Sequence, residues 1–261
     1  MIKRASDATF RVIGRLFSRL LEHEKPGRDP AVPSDFEALC RTIRVGDVLL
    51  VEGRARVSSV IKYVTQSTWS HAALCVADMN APGGSPDDCQ IVEVTLMEGC
   101  HQAPLAKYAG HNVRLCRPVA LDEDERRKVA QFMSGRIGAQ YDLRNVVDLA
   151  RYLLPTPPVP LRFRRRMLGL GSGDPTRAIC SSLVAEAFQS IRYPVLPEIR
   201  LARARGASRQ ARREVWHIRH HSLYAPRDFD LSPYFDVVKP VLEAGFDHRR
   251  INWAPAGNTQ G

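Results

Sequence analysis

Residues His71–Ala77 read His-Ala-Ala-Leu-Cys-Val-Ala, an almost unbroken apolar run too short to be a buried helix. Such a run suits a strand covered on both faces. That one segment requires chain packed above and below it, and therefore a domain with a real core. Other strand-like segments surround it. Residues 48–52 follow the turn Val45-Gly46-Asp47, residues 90–96 are rich in β-branched side chains, and residues 113–117 are closed by Pro118. Residues 80–88, rich in Pro, Gly and Asp, separate the central run from the strand at 90–96. Short helices are expected at 58–65 and, behind the capping pattern Asp122-x-x-Glu125, at 122–134. A further helix at 143–154 stops at Pro155. Residues 180–191 form an amphipathic helix with Leu183, Val184, Ala187, Phe188 and Ile191 on one side. Helices flanking a cluster of strands define an α+β class.

The chain has 261 residues, 44% of them hydrophobic and 25% charged, which is ordinary globular composition. No apolar stretch is long enough for a membrane-spanning helix. The net charge of +10 is concentrated in two segments. Arg151, Arg162, Arg164, Arg165, Arg166 and Arg177 stand against Asp174 alone. Arg200, Arg203, Arg205, Arg209, Arg212, Arg213 and Arg219 stand against Glu214 alone. Arginine favours bidentate contact with carboxylate or phosphate, so an anionic partner is expected. Nucleic acid is the poorer candidate, because only Phe163 and Trp216 are available for base stacking in these stretches.

Residues 5–24 have helical spacing of Phe10, Ile13, Phe17, Leu20 and Leu21, with basic residues mostly elsewhere. This helix docks on its own domain, pairs with a partner, or lies on an anionic membrane. Pro26 and residues 27–33 end it as a linker. Arg11, Arg15 and Arg19 interrupt any secretory signal, so the expected location is cytoplasmic, with the inner-membrane surface as the peripheral alternative. The six cysteines, Cys40, Cys75, Cys89, Cys100, Cys116 and Cys180, form no C-x-x-C pair, and a disulfide framework is not expected.

Cys180 opens a helix after a Gly- and Asp-rich loop. Free amides and partial positive charge at a helix start favour a thiolate, which is the nucleophilic form. The same amides can receive a developing oxyanion. A thiol nucleophile works best beside a histidine. His71 begins the central strand, where an imidazole is rigidly held yet near the surface; a structural histidine is the alternative. Glu93 is a carboxylate within an apolar strand and needs a partner. It is the candidate to orient His71, with Glu98 and His101 as rivals. His217 and His221 have the i, i+4 spacing of a helical zinc pair but lack neighbouring acidic or cysteine ligands, and no metal or other cofactor is expected.

The order His71, Glu93, Cys180 resembles that of the permuted papain-like cysteine hydrolases, the YiiX/YaeF-like branch of the NlpC-type peptidases. The pieces that carry the resemblance are Gly46-Asp47-Val48-Leu49-Leu50, Ser70-His71-Ala72-Ala73-Leu74, Ile91-Val92-Glu93-Val94, Tyr141-Asp142 and Cys180-Ser181-Ser182-Leu183-Val184, with Tyr-Ala-Pro-Arg-Asp-Phe at 224–229. The resemblance implies a circularly permuted papain-like fold: an antiparallel sheet or small barrel packed against helices, one of which bears the nucleophile. It implies Cys180 as nucleophile, His71 as general base and acid, Glu93 as the third polar residue and Tyr141 lining the substrate site. Residues 36–240 would be the catalytic domain, with basic insertions near 151–177 and 199–221. Residues 1–35 would be helix and linker, and 241–261 a tail. The expected reaction is cleavage of an amide in a cell-wall-type or γ-glutamyl peptide, whose acidic groups the arginines would bind. A membrane lipid acyl hydrolase or acyltransferase using the same dyad, and a non-catalytic basic binding protein, are the alternatives. The chain departs from the family in lacking a recognisable secretion signal, in its long basic insertion after Tyr141, and in having Ile179 before the cysteine.

Overall fold

A computed structural model describes residues 35–80, 84–139, 179–203, 212–217, 224–240 and 249. The helices expected at 5–24 and 143–154, the linker at 27–33, Tyr141 and the basic stretch at 151–177 lie outside the described residues, as do 241–261 apart from Arg249.

Six strands form one antiparallel sheet. In chain order they are β1 (Val48–Val51), β2 (His71–Ala77), β3 (Gln90–Thr95), β4 (Gly99–Pro104), β5 (Val113–Pro118) and β8 (Phe235–Val238), and their spatial order is β4-β3-β2-β1-β5-β8. The sheet is open, with β4 and β8 at its edges. Two more strands, β6 (Glu198–Arg203) and β7 (Arg212–His217), pair as a separate hairpin. The helices are α1 (Phe36–Thr42), α2 (Arg56–Thr65), α3 (Glu123–Ser134), α4 (Ile179–Ser190) and α5 (Pro226–Asp230).

The apolar run of β2 exists because both sheet faces are covered. One face places Val48, Leu50, Ala72, Leu74, Val92 and Val94 in a cluster with Val129 and Met133 of α3 and Val184 and Phe188 of α4. The other places Leu49, Val51, Ala73, Cys75 and Ile91 against Leu39, Cys40 and Ile43 of the α1 region and Leu105 and Tyr108 after β4. Alternate residues of each strand therefore meet different layers, and neither face can be polar. Behind α4, Phe188 meets the Phe235 ring edge-on at 5.1 Å, and Phe229 meets Phe235 at 5.5 Å. This aromatic set fixes α4 to the last strand and to α5.

The turn before β1 carries the main buried ion pair. Asp47 is fully buried and accepts from Arg117 of β5, Nη2 to Oδ2 at 2.7 Å and Nε to Oδ1 at 3.1 Å. Arg126 of α3 lies 3.4 Å from the other side of the carboxylate, and the Arg44 amide donates to it at 3.0 Å. Gly46 makes the turn with φ +86°, and a Cβ there would lie 3.2 Å from the Arg126 side chain. One carboxylate thus ties α1, β1, β5 and α3 together.

Most expected elements recur with nearly the expected ends, and three departures are informative. β4 was not anticipated; its sequence Gly-Cys-His-Gln-Ala-Pro has no apolar alternation, which an edge strand tolerates. The second basic segment, to which no element was assigned, contains the paired strands β6 and β7. His217 closes β7, so the helical zinc spacing with His221 does not apply.

Replacing Asp47 by Ala leaves two partly buried arginines facing a void. The expected loss is about 3–5 kcal/mol of unfolding free energy, measured by denaturant titration. A loss below about 1 kcal/mol, the ordinary range for a surface ion pair, would show that the pair is not a structural pin.

Candidate active site

The thiol of Cys180, second residue of α4, is buried and hydrogen bonds to the imidazole of His71, first residue of β2. The amides of Ala72 and Ser181 also donate to the sulfur. On its other side the imidazole Nε2 stands 2.6 Å from Glu93 Oε2. This leaves Nδ1 for the sulfur. The register Leu74 opposite Val92 puts His71 and Glu93 on one sheet face, diagonal to each other. A strand end, a neighbouring strand and a helix start therefore assemble thiol, imidazole and carboxylate in line.

Glu93 has no solvent exposure. Its Oε2 accepts from the Tyr108 hydroxyl as well as from His71, and its Oε1 accepts from Lys107 Nζ at 2.5 Å. His101 Nε2 lies 3.2 Å from Oε1, near enough to pair electrostatically but out of line for a hydrogen bond. Burial alone would push the Glu93 carboxyl up, but His71, Lys107 and Tyr108 outweigh it and hold the group below its ordinary range. Burial alone would lower His71. The Cys180 thiolate and Glu93 reverse this and push it up to about 10. Burial likewise opposes the Cys180 thiolate, yet the His71 cation and the two amides bring that thiol below its ordinary value. Both shifts act in the direction of a thiolate–imidazolium pair.

The surroundings brace both members. The buried Ser181 hydroxyl donates to the Tyr224 carbonyl at 2.7 Å, holding the start of α4 to the segment before α5. Trp69, two residues before His71, donates through Nε1 to Asp230 of α5 at 3.2 Å. Arg114 bonds the same carboxylate at 2.5 Å and covers the Trp69 ring at 4.9 Å. Ser70 Oγ accepts from the Gly53 amide at 2.9 Å. A Cβ on Gly53 would lie 2.3 Å from Ser58 Oγ and 2.9 Å from Ser70 Oγ, so that approach beside His71 requires glycine.

The structure thus brings Cys180, His71 and Glu93 together. Glu93, rather than Glu98 or His101, bonds His71; Glu98 pairs instead with His101 at 2.9 Å. Tyr141 lies outside the described residues. Sequence reasoning missed Lys107, Tyr108 and the Ala72 amide. The one available signal was indirect: a carboxylate inside an apolar strand must find donors somewhere.

Part of the chain resembles known proteins. Residues 42–152 match the model of the permuted papain-like amidases, YaeF/YiiX, peptidase family C92. That span includes His71 and Glu93 and ends before Cys180. The chain is also similar to the crystal structure of the metalloprotein yiiX from Escherichia coli O157:H7, at 15% identity over 75% of this chain and 96% of that one, with a TM-score of 0.44.

Two measurements follow from the charges. At neutral pH iodoacetamide should modify Cys180 ahead of the buried Cys40 and Cys116, whose thiols are pushed up to about 12. Peptide mass spectrometry reads the order, and uniform labelling would contradict it. His71 is raised from 6.5 to about 10, so its contribution to stability is complete below pH 6.5 and lost as pH rises through about 10. Thermal unfolding should show that decline, displaced to lower pH in Cys180→Ala, where the thiolate is gone; coincident curves would contradict the ion pair. The resemblance first carried by short motifs is the one the family match finds: over residues 42–152 the chain is similar to the permuted papain-like amidases, a family of cysteine peptidases.

Proposed function

We propose that Cys180 is the nucleophile, His71 its acid and base, and Glu93 the carboxylate that orients the imidazole, in hydrolysis of an amide within an acidic peptide of cell-wall or γ-glutamyl type. The observation that carries this reading is the continuous chain of hydrogen bonds from the Cys180 sulfur through His71 to the fully buried Glu93. The thiolate attacks the amide carbonyl, forming a C–S bond and an oxyanion. The helix dipole at the start of α4 favours that oxyanion. The imidazolium gives its proton to the departing amine as the C–N bond breaks, leaving a thioester. Water then attacks the thioester, neutral His71 takes its proton, and the acid and the Cys180 thiolate are released. Glu93 remains ionised throughout and fixes which ring nitrogen faces the sulfur.

The substrate class is supported by charge. The arginine-rich segments offer bidentate contacts to carboxylates, and four of those arginines, Arg200, Arg203, Arg212 and Arg213, lie in the β6–β7 hairpin. Tyr141 is the family position expected to line the substrate.

A γ-glutamyl peptide with free carboxylates and its fully amidated analogue provide the test. The wild type should cleave the free acid faster and show a thioester mass adduct. Cys180→Ala should lose both, and His71→Ala should lose about 10²–10⁴-fold in kcat. Turnover surviving Cys180→Ala would remove that residue from the mechanism, and equal rates on both peptides would refute the acidic substrate class.

A further inference from the structure

The site contains two donors that no sequence motif marks. Lys107 and Tyr108 are adjacent residues of a single 3₁₀ turn, Leu105–Tyr108, which follows β4. The turn is tightly built into the sheet. Leu105 is fully buried and its amide donates to the Cys89 carbonyl at 2.9 Å. Ala109 and His111 donate back to Ala106 and Tyr108, each at 3.0 Å. The Tyr108 ring meets His111 edge-on at 5.5 Å and stands 6.0 Å from the His71 ring. Two consecutive side chains therefore leave one rigid turn and reach different oxygens of the same carboxylate. Tyr108 shares Oε2 with His71, and Lys107 takes Oε1.

We infer that Lys107 and Tyr108 are positioning residues of the reaction: a two-point clamp that keeps Glu93 ionised and its Oε2 aimed at His71, so that the imidazolium–thiolate pair persists at acidic pH. This inference rests on the reading of Cys180 and His71 as the reacting pair. A fully buried carboxylate left with one partner would take up a proton more readily or rotate away. With both oxygens held, it does neither. The groups facing it are His71 from β2, His101 from β4, and Lys107 and Tyr108 from the turn. Glu98, between β3 and β4, faces His101, and Cys180 of α4 faces His71. Lys107 is the most exposed basic group of this set, at 38% side-chain exposure, so it supplies charge without being walled in.

The two residues act in the same direction on a pH profile. Losing the Lys107 cation at Oε1, like losing the Tyr108 hydroxyl at Oε2, lets Glu93 protonate closer to neutrality. Either change moves the acid limb of thiolate formation to higher pH. The test is the rate of Cys180 alkylation by iodoacetamide against pH, in the full chain without substrate. Tyr108→Phe and Lys107→Met should each shift the acid limb upward by about one pH unit, a tenfold loss of rate at the foot of the profile. Lys107→Arg, which keeps the cation, should follow the wild type. Amide hydrolysis should fall in kcat with KM little changed. Profiles that superimpose on the wild type in folded variants, or Lys107→Arg behaving like Lys107→Met, would overturn the clamp while leaving the dyad intact. A wild-type profile with no thiolate below the ordinary cysteine range would overturn the dyad, and the clamp with it. If Tyr108→Phe fails to fold, the partly exposed Lys107 pair of variants decides alone.

Discussion

A carboxylate with no access to water lies at the centre of this fold. Glu93 sits in β3, between β2 and β4, in a sheet packed on both faces by apolar clusters. An ionised group there is tolerated only if its oxygens are fully engaged. His71 comes from the neighbouring strand, and Lys107 and Tyr108 from the turn after β4. The position of the imidazole, and through it the state of the Cys180 sulfur, follow from meeting that requirement. The polar centre thus organises the site by the same rule that organises any buried polar network: satisfied, it fixes one arrangement.

The sulfur, imidazole and carboxylate come from distant parts of the chain. His71 and Glu93 lie within the span that matches the amidase family, whereas Cys180 arrives afterwards on α4. The segment around α5 joins the halves. Tyr224 holds Ser181, next to the sulfur, and Asp230 holds Trp69, just before the imidazole. The aromatic set of Phe188, Phe229 and Phe235 backs the same junction. The segment from Tyr224 to Phe235 therefore acts as a brace across Cys180 and His71.

Legibility in the sequence followed the physics of each element. β2 was readable because burial on both faces removes polar residues from a strand. The start of α3 was readable because Asp122 and Glu125 cap it reciprocally, as the structure shows. Cys180 stood out because a thiol at a helix start has a chemical consequence. β4 was not readable, since an edge strand needs no apolar pattern. Lys107 and Tyr108 were invisible for a different reason. Their role depends on where one turn lands over a carboxylate 14 and 15 positions earlier, and no local spacing encodes that. The hairpin of β6 and β7 was hidden by its arginines, which marked the segment by charge and masked its strand character.

The account stands on the protonation state of one ring. Nitrogen-15 chemical shifts of the His71 imidazole report it directly, in the wild type and without substrate. Both nitrogens should carry protons at mildly alkaline pH, with the ring titrating near 10 rather than near 6.5. A neutral ring at that pH, titrating like a free histidine, would contradict the thiolate–imidazolium pair.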